Sequence, residues 1–343
     1  MIESSKRRGA GALLPVLAAS LAIAAGLAAG CGDDEDDSLT VYSGREEELV
    51  EPLFDLYEEE SGNSVEVRYG DTSELAATII EEGDNSPADV FFGQDAGALG
   101  ALEKEELLAE LSDEQLQRVD AAFRSADGRW VGTSGRARVV AYNKDRLSES
   151  ELPASVLDFT DPEWKGRIGW APTNGSFQAF VTAMRITEGD EATERWLRGI
   201  VANDPKVFDG NEEIRDAIAA GEIDVGFINH YYVAQAQAEE GPDYPVAVYF
   251  PPRGDVGSLI NVAGAGILAS SDSEQAQEFV EFLLSDEAQR FFSEETKEYP
   301  LVEGIPADAA VVPLAEIEQP QIDLGDLDDL RGTLELIERS GAL

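Results

Sequence analysis

Hydrophobic and polar positions alternate along the first third of the chain with two periods in turn. Leu39-Thr40-Val41-Tyr42-Ser43 reads as a strand. Arg45 to Glu60 places Leu49, Leu53, Leu56 and Tyr57 on one helical face, with Gly62 as its stop. Ser64 to Tyr69 alternates as a strand, and Asp71-Thr72-Ser73-Glu74 has the form of a capping box opening a helix to Glu82. Pro87 to Phe92 is the next strand, and Ala98 to Leu111 is mostly helical. This β-α-β-α-β-α order predicts a parallel sheet with helices on its faces. Ligands of such sheets bind at the carboxyl ends of strands, here Ser43-Gly44-Arg45-Glu46 and Gly93-Gln94-Asp95. No G-x-G-x-x-G follows any of these strands, so a dinucleotide site has no support.

Further on, Trp130 to Asn143 reads as two short strands around Thr133-Ser134-Gly135-Arg136-Ala137-Arg138, crossing into a second lobe. That lobe holds Trp164 to Trp170, the loop Pro172-Thr173-Asn174-Gly175-Ser176 and a helix from Phe177. A glycine-containing loop at a helix start offers backbone N–H groups to an anion. An ordinary N-cap at Asn174 or Thr173 explains the same residues. Asn211 to Ala220 reads as helix, Val246 to Phe250 as strand, and Asn261 to Ala269 as a glycine-spaced strand returning to the first lobe. Ser273 to Thr296 reads as one long amphipathic helix, and the acidic tail from Pro313 to Leu343 is partly helical. There is no internal repeat.

One stretch carries distinctive chemistry. The apolar run Ile223 to Ile228 predicts a buried strand, and Val233 to Ala238 is helix-forming. Tyr231 and Tyr232 therefore sit at a strand-to-helix turn. Neighbours in a strand point to opposite faces, whereas at a helix start they lie only about 100° apart, so both hydroxyls can reach one point. A phenol that has lost its proton is a hard oxygen donor, and a nearby cation favours that loss. Two phenolates suit Fe(III) above other ions. Two tyrosines packing a turn would give the same dipeptide.

Composition sets the surroundings. The chain has 343 residues, enough for about two domains, and 43 % hydrophobic content. Lys6, Arg7 and Arg8 precede an apolar, small-residue run from Gly9 to Gly30, the form of a secretory signal over residues 1–30. Small residues before Cys31, the single cysteine, resemble a bacterial lipobox, although Ala28 holds the place usually taken by Leu and Leu27 lies one further back. A transmembrane anchor is the competing reading. Residues 31–38 then read as an acidic tether behind a lipidated Cys31. Loss of residues 1–30 removes Glu3, Lys6, Arg7 and Arg8 and leaves 22 basic against 69 acidic residues. Such a surface repels nucleic acid and anionic lipid. A single cysteine excludes an internal disulfide and Cys-ligated zinc.

Six stretches together resemble the ferric-ion-binding proteins of bacterial iron ABC transporters. They are Thr40-Val41-Tyr42-Ser43-Gly44, Pro87 to Phe91, Ser134 to Val140, Trp164 to Gly169, Asn229-His230-Tyr231-Tyr232 and Glu298-Tyr299-Pro300-Leu301, in the family's order. The resemblance spans about Leu39 to Ile305. It implies an α/β, two-lobed type II periplasmic-binding-protein fold, each lobe a mainly parallel sheet flanked by helices, with hinge strands between. The expected lobes are 39–135 with 262–312, and 136–261 with 313–343. It implies a binding protein, not an enzyme, that closes on Fe(III) through Tyr231 and Tyr232 and hands it to a membrane permease. Glu46 stands where many members carry a His ligand, Gln94 where many carry Glu, and Phe177 where another branch has a further Tyr. Members lacking those ligands complete the shell with an anion. Carbonate or phosphate is expected here, held by Arg136, Asn174, Gly175, Ser176, Asn211 and Asn229. His230 is expected to be a turn residue. A lipid-anchored, extracytoplasmic monomer without nucleic acid follows from this reading. Alternatives are a same-fold binder of a polyamine, thiamine or phosphonate, or a secreted hydrolase, for which no G-x-S-x-G is present.

Overall fold

The computed structural model describes residues 38–343. The expected signal segment, Cys31 and all of the tether except Ser38 lie outside the described residues. The first elements are β1 (Leu39–Ser43), α1 (Glu47–Ser61), β2 (Val65–Tyr69), α2 (Thr72–Glu82), β3 (Val90–Gly93), α3 (Ala96–Lys104) and α4 (Asp113–Gln117). β1 lies parallel between β2 and β3, as the alternating pattern predicts. Helix starts follow side-chain chemistry. Asp71 accepts from the N–H groups of Ser73 and Glu74 to open α2, and Asp95 accepts from Ala98 to open α3.

The next elements are β4 (Val131–Asn143), β5 (Ile168–Trp170), α5 (Gly175–Glu188), α6 (Asp190–Ala202), β6 (Lys206–Val207), α7 (Asn211–Ala219), β7 (Val225–Asn229), α8 (Tyr231–Glu240) and β8 (Val246–Tyr249). They are followed by β9 (Ile260–Ile267), α9 (Glu274–Leu283), α10 (Asp286–Glu294), β10 (Tyr299–Pro300) and α11 (Leu330–Ser340). The sheet order is β2-β1-β3-β9-β4-β7-β5-β6, with β8 and β10 also on β4.

β4 differs from the expected pair of short strands. It is one buried strand of 13 residues that changes partners midway. Val131 to Ala137 pairs with β9, and Arg138 to Asn143 pairs with β7 and β8. A register shift between Gly132 and Ser134 bends it without ending it. A Cβ on Gly132 would come within 2.5 Å of the Phe123 carbonyl oxygen, so the glycine marks a close approach rather than a turn. Each half of β4 thus belongs to one of two lobes. The predicted helix from Ser273 to Thr296 is also corrected. It is two helices, broken after Leu283, because Ser285 accepts from Ala288 N–H and caps a new start.

The lobes are packed by apolar side chains. Phe54 stacks on Phe279 at 5.4 Å in the first. Trp196, Phe227, Phe180 and Phe177 pack together in the second. Among the described residues no helix is long and apolar enough to cross a membrane.

Candidate functional site

The carboxyl ends of β1, β2, β3, β5 and β7 all face one cavity of about 240 Å³. Its wall includes Glu46, Gln94, Arg136, Asn174, Gly175, Ser176, Asn211, Asn229, Tyr231 and Tyr232, so all ten residues read from the sequence as ion or anion partners converge there. They come from both lobes.

Tyr231 and Tyr232 occupy the first turn of α8. The rings lie 4.2 Å apart at 30°. The turn is fixed from behind by His230, whose Nδ1 accepts the Ala137 N–H at 3.1 Å and whose ring stacks on Tyr299 at 4.4 Å. Burial lowers His230 to about 4, against the opposing pull of Glu298, so it is neutral at pH 7. The sole histidine is a positioning group here.

Burial holds both phenols protonated. Burial, then the neighbouring Tyr232, raises Tyr231 well above its ordinary value, with Arg136 opposing. Burial, then Glu46, pushes Tyr232 up to about 12, while a hydrogen bond from Tyr231 and the charge of Arg136 oppose. Only a strong cation can draw off both protons near neutral pH.

Arg136 is 3 % exposed, and its Nε and Nη1 have no hydrogen-bond partner. Among the described residues it forms one ion pair, Nε to Glu298 Oε1 at 3.9 Å. Glu298 is already engaged by Arg45, which reaches its two oxygens at 3.1 and 2.9 Å, and by Ser134 Oγ at 2.7 Å. Burial pushes the Glu298 carboxyl up, but Arg45 and Arg136 outweigh it and keep the group ionised below its usual range. A buried guanidinium with unused donors on a cavity wall is the chemistry of an anion site.

Arg138, not nominated from the sequence, ties together three residues of the cavity wall. Its Nη1 reaches Ser176 Oγ at 3.2 Å, Asn211 Oδ1 at 3.3 Å and Asn229 Oδ1 at 3.4 Å, and its Nη2 donates to the Phe227 carbonyl. An arginine inside Ala137-Arg138-Val139-Val140 was the available signal, because a buried charge needs partners. Asn174 proves to be the N-cap of α5, accepting from Ser176 N–H at 3.1 Å and Ser176 Oγ at 2.6 Å. The cap uses the Ser176 N–H and hydroxyl, and Gly175 and Ser176 both line the cavity.

Glu46 is exposed at the cavity rim and its side chain makes no capping bond to α1, which leaves the carboxylate free. The backbone N–H of Gln94 donates to Thr72 Oγ1 at 3.2 Å, while its side-chain Oε1 is buried without a partner. Asp95, at the strand end named above, lines the cavity too, and Asp71, Thr72 and Ser73 join it without having been expected there. Among the described residues no three His, Cys, Asp or Glu side chains come together as a metal cage. An ion here would rest on the tyrosines.

The bacterial extracellular solute-binding protein family matches residues 85–330. An Fe(3+)-binding periplasmic protein of Serratia marcescens is 32 % identical over 331 residues, covering 96 % of each chain. A major ferric iron-binding protein of Neisseria meningitidis is 34 % identical over 307 residues, 88 % of this chain and 92 % of the relative. Among solved structures, iron-bound HitA from Pseudomonas aeruginosa superposes with a TM-score of 0.83 at 35 % identity, covering 89 % of this chain and 99 % of the other. The Trichodesmium protein in complex with iron and citrate gives 0.75 at 30 % identity over 89 % and 99 %. With two lobes meeting at a polar cavity and a match along most of its length, the chain belongs to the bacterial extracellular solute-binding proteins.

Proposed function

We propose that the protein binds Fe(III) between its two lobes and delivers it to a membrane permease of an ABC transporter, acting as a binding protein rather than an enzyme. The observation that carries this is the tyrosine pair on one helical turn, rings 4.2 Å apart, in a cavity without a carboxylate or histidine cage. The relatives named for ferric iron support it. Two phenolates leave a net +1 on Fe(III), and about six donors are needed by analogy with octahedral oxygen sites. Tyr231 and Tyr232 supply two. An accompanying anion, carbonate or phosphate, supplies more and is held by the free Nε and Nη1 of Arg136 and by the Asn174-Gly175-Ser176 turn. Glu46 is the better placed of the two further candidates, since Gln94 is a neutral donor.

The lobes are divided as 39–135 with 262–312, and 136–261 with 313–343. The change of partner along β4 between Ala137 and Arg138 supports that division, as does the packing of α11 on α5 and α6, whereas the turn Leu324–Asp328 departs from it by packing on α3 of the first lobe. β4 and β9 cross between the lobes and are the hinge.

The test is optical. Phenolate-bound Fe(III) absorbs visible light, so iron loading should colour the protein. Tyr231→Phe and Tyr232→Phe should each lose the band and most of the affinity while keeping the wild-type melting temperature. Undiminished colour in both variants would remove the tyrosines from the site. Anchoring through Cys31 is a separate reading: Cys31→Ser should abolish membrane association, and a processed, membrane-bound Ser variant would refute it.

A further inference from the structure

A second cavity, of about 180 Å³, opens beside the first. Ser73, Asp95 and Gly175 line both, so the two are contiguous. Their chemistry differs. The walls of the second are mainly carbon, from Ala76 and Ala77 of α2, Ala98 and Ala101 of α3, Ala179 of α5, and Leu330.

Four of the polar side chains that reach this annex are already engaged. Gln178 Nε2 donates to the Pro172 and Thr173 carbonyls at 3.3 and 3.1 Å. Thr182 Oγ1 lies 2.7 Å from Thr333 Oγ1. Asp328 pairs with Lys104 at 2.7 Å, and Asp95 accepts from Ala98 N–H at 3.2 Å. In the tyrosine cavity, by contrast, Arg136 Nε and Nη1 and Gln94 Oε1 have no partner. One chamber therefore offers unused polar atoms, and its neighbour offers apolar surface. An apolar cavity of about 150 Å³ accepts benzene, so the annex has room for one ring.

A bare inorganic anion would use the first chamber and leave the second without a role. An amphiphilic ligand uses both. We propose that the site takes Fe(III) as a complex with a small bidentate oxygen chelator carrying a compact hydrocarbon body, of the aryl hydroxycarboxylate class. The chelator's oxygens stand between the iron and Arg136, and its ring lies among Ala76, Ala98 and Ala179. This rests on the iron reading above and names the form in which the iron arrives.

The probes are 2-hydroxybenzoate and carbonate, each supplied alone as the accompanying ligand while Fe(III) affinity is measured by competition. Ala77 is exposed and Ala101 half-buried, so Ala77→Phe and Ala101→Phe put a ring into the annex from its edge without displacing core side chains. Wild-type protein should bind iron with either ligand. Both variants should keep carbonate-supported binding and lose at least about tenfold with 2-hydroxybenzoate, or roughly 1.4 kcal/mol. Iron bound with carbonate but not with 2-hydroxybenzoate would overturn the annex and leave the iron reading standing. Equal losses with both ligands in both variants would also overturn it. Iron bound with neither ligand in wild type would overturn the iron reading itself.

Discussion

Lowering the pH from 8 to 6 should weaken Fe(III) binding by about four orders of magnitude. Tyr232 stands at about 12, raised by burial and then by Glu46. Tyr231 is likewise held well above its ordinary value, by burial and then by Tyr232. Both are fully protonated throughout that range, so each must release a proton when iron binds. Protons then compete with the metal, and low pH favours the empty form. Release of two protons makes affinity fall about 100-fold per pH unit. Over two units that is about 5.5 kcal/mol. Competition against a chelator of known protonation behaviour measures it, with oxalate as the accompanying anion because it stays a dianion across this range. The single variants Tyr231→Phe and Tyr232→Phe, at whatever iron concentration saturates them, should release one proton fewer. A corrected slope of about tenfold per pH unit or less in wild type would refute ionisation of both phenols.

Anion dependence separates Arg136 from Glu46. Omitting bicarbonate and phosphate, or making Arg136→Ala, should each weaken iron binding by more than about tenfold, roughly 1.4 kcal/mol, with a smaller loss for Glu46→Gln. The opposite ranking, measured by the same competition, would make Glu46 an iron ligand and remove the anion from the shell. Behind the site, Glu298→Ala should lower stability by about 3–5 kcal/mol, because Arg45 and Arg136 would be left buried without their carboxylate. Denaturant unfolding reads this directly, and a loss under about 1 kcal/mol would show that the pair carries little of the fold's stability.

How much of this was legible in the sequence depends on the range of the interaction. The β-α-β-α-β-α order of the first lobe follows from period and capping residues, which are local signals, and β1 to β3 stand close to where those signals put them, whereas the helix expected over Ala98 to Leu111 runs from Ala96 only to Lys104. The Tyr231-Tyr232 turn was legible for the same reason: an apolar run meets a helix former there. β4 was misread because its two glycines suggested turns. Gly132 answers instead to the Phe123 backbone, and Gly135 packs on Leu301 and Tyr299, both distant in the chain. The break at Leu284-Ser285 was overlooked although the buried positions of α9 and of α10 do not form one continuous stripe, and Ser285 was not read as a new N-cap. Arg138 was overlooked because its partners, Ser176 of α5, Asn211 of α7, and Phe227 and Asn229 of β7, come from three separate elements of the second lobe. The apolar annex has no sequence signature, since alanines on three helices are individually ordinary.

The central claim is that one Fe(III) sits on both tyrosine oxygens between the lobes. Crystals of iron-loaded protein, measured on either side of the iron absorption edge, locate the metal without reference to any assumed site. The account predicts a single anomalous peak within bonding distance of the hydroxyl oxygens of Tyr231 and Tyr232, with density for an anion between it and Arg136. A peak bound to other side chains, or one touching neither tyrosine, would contradict it.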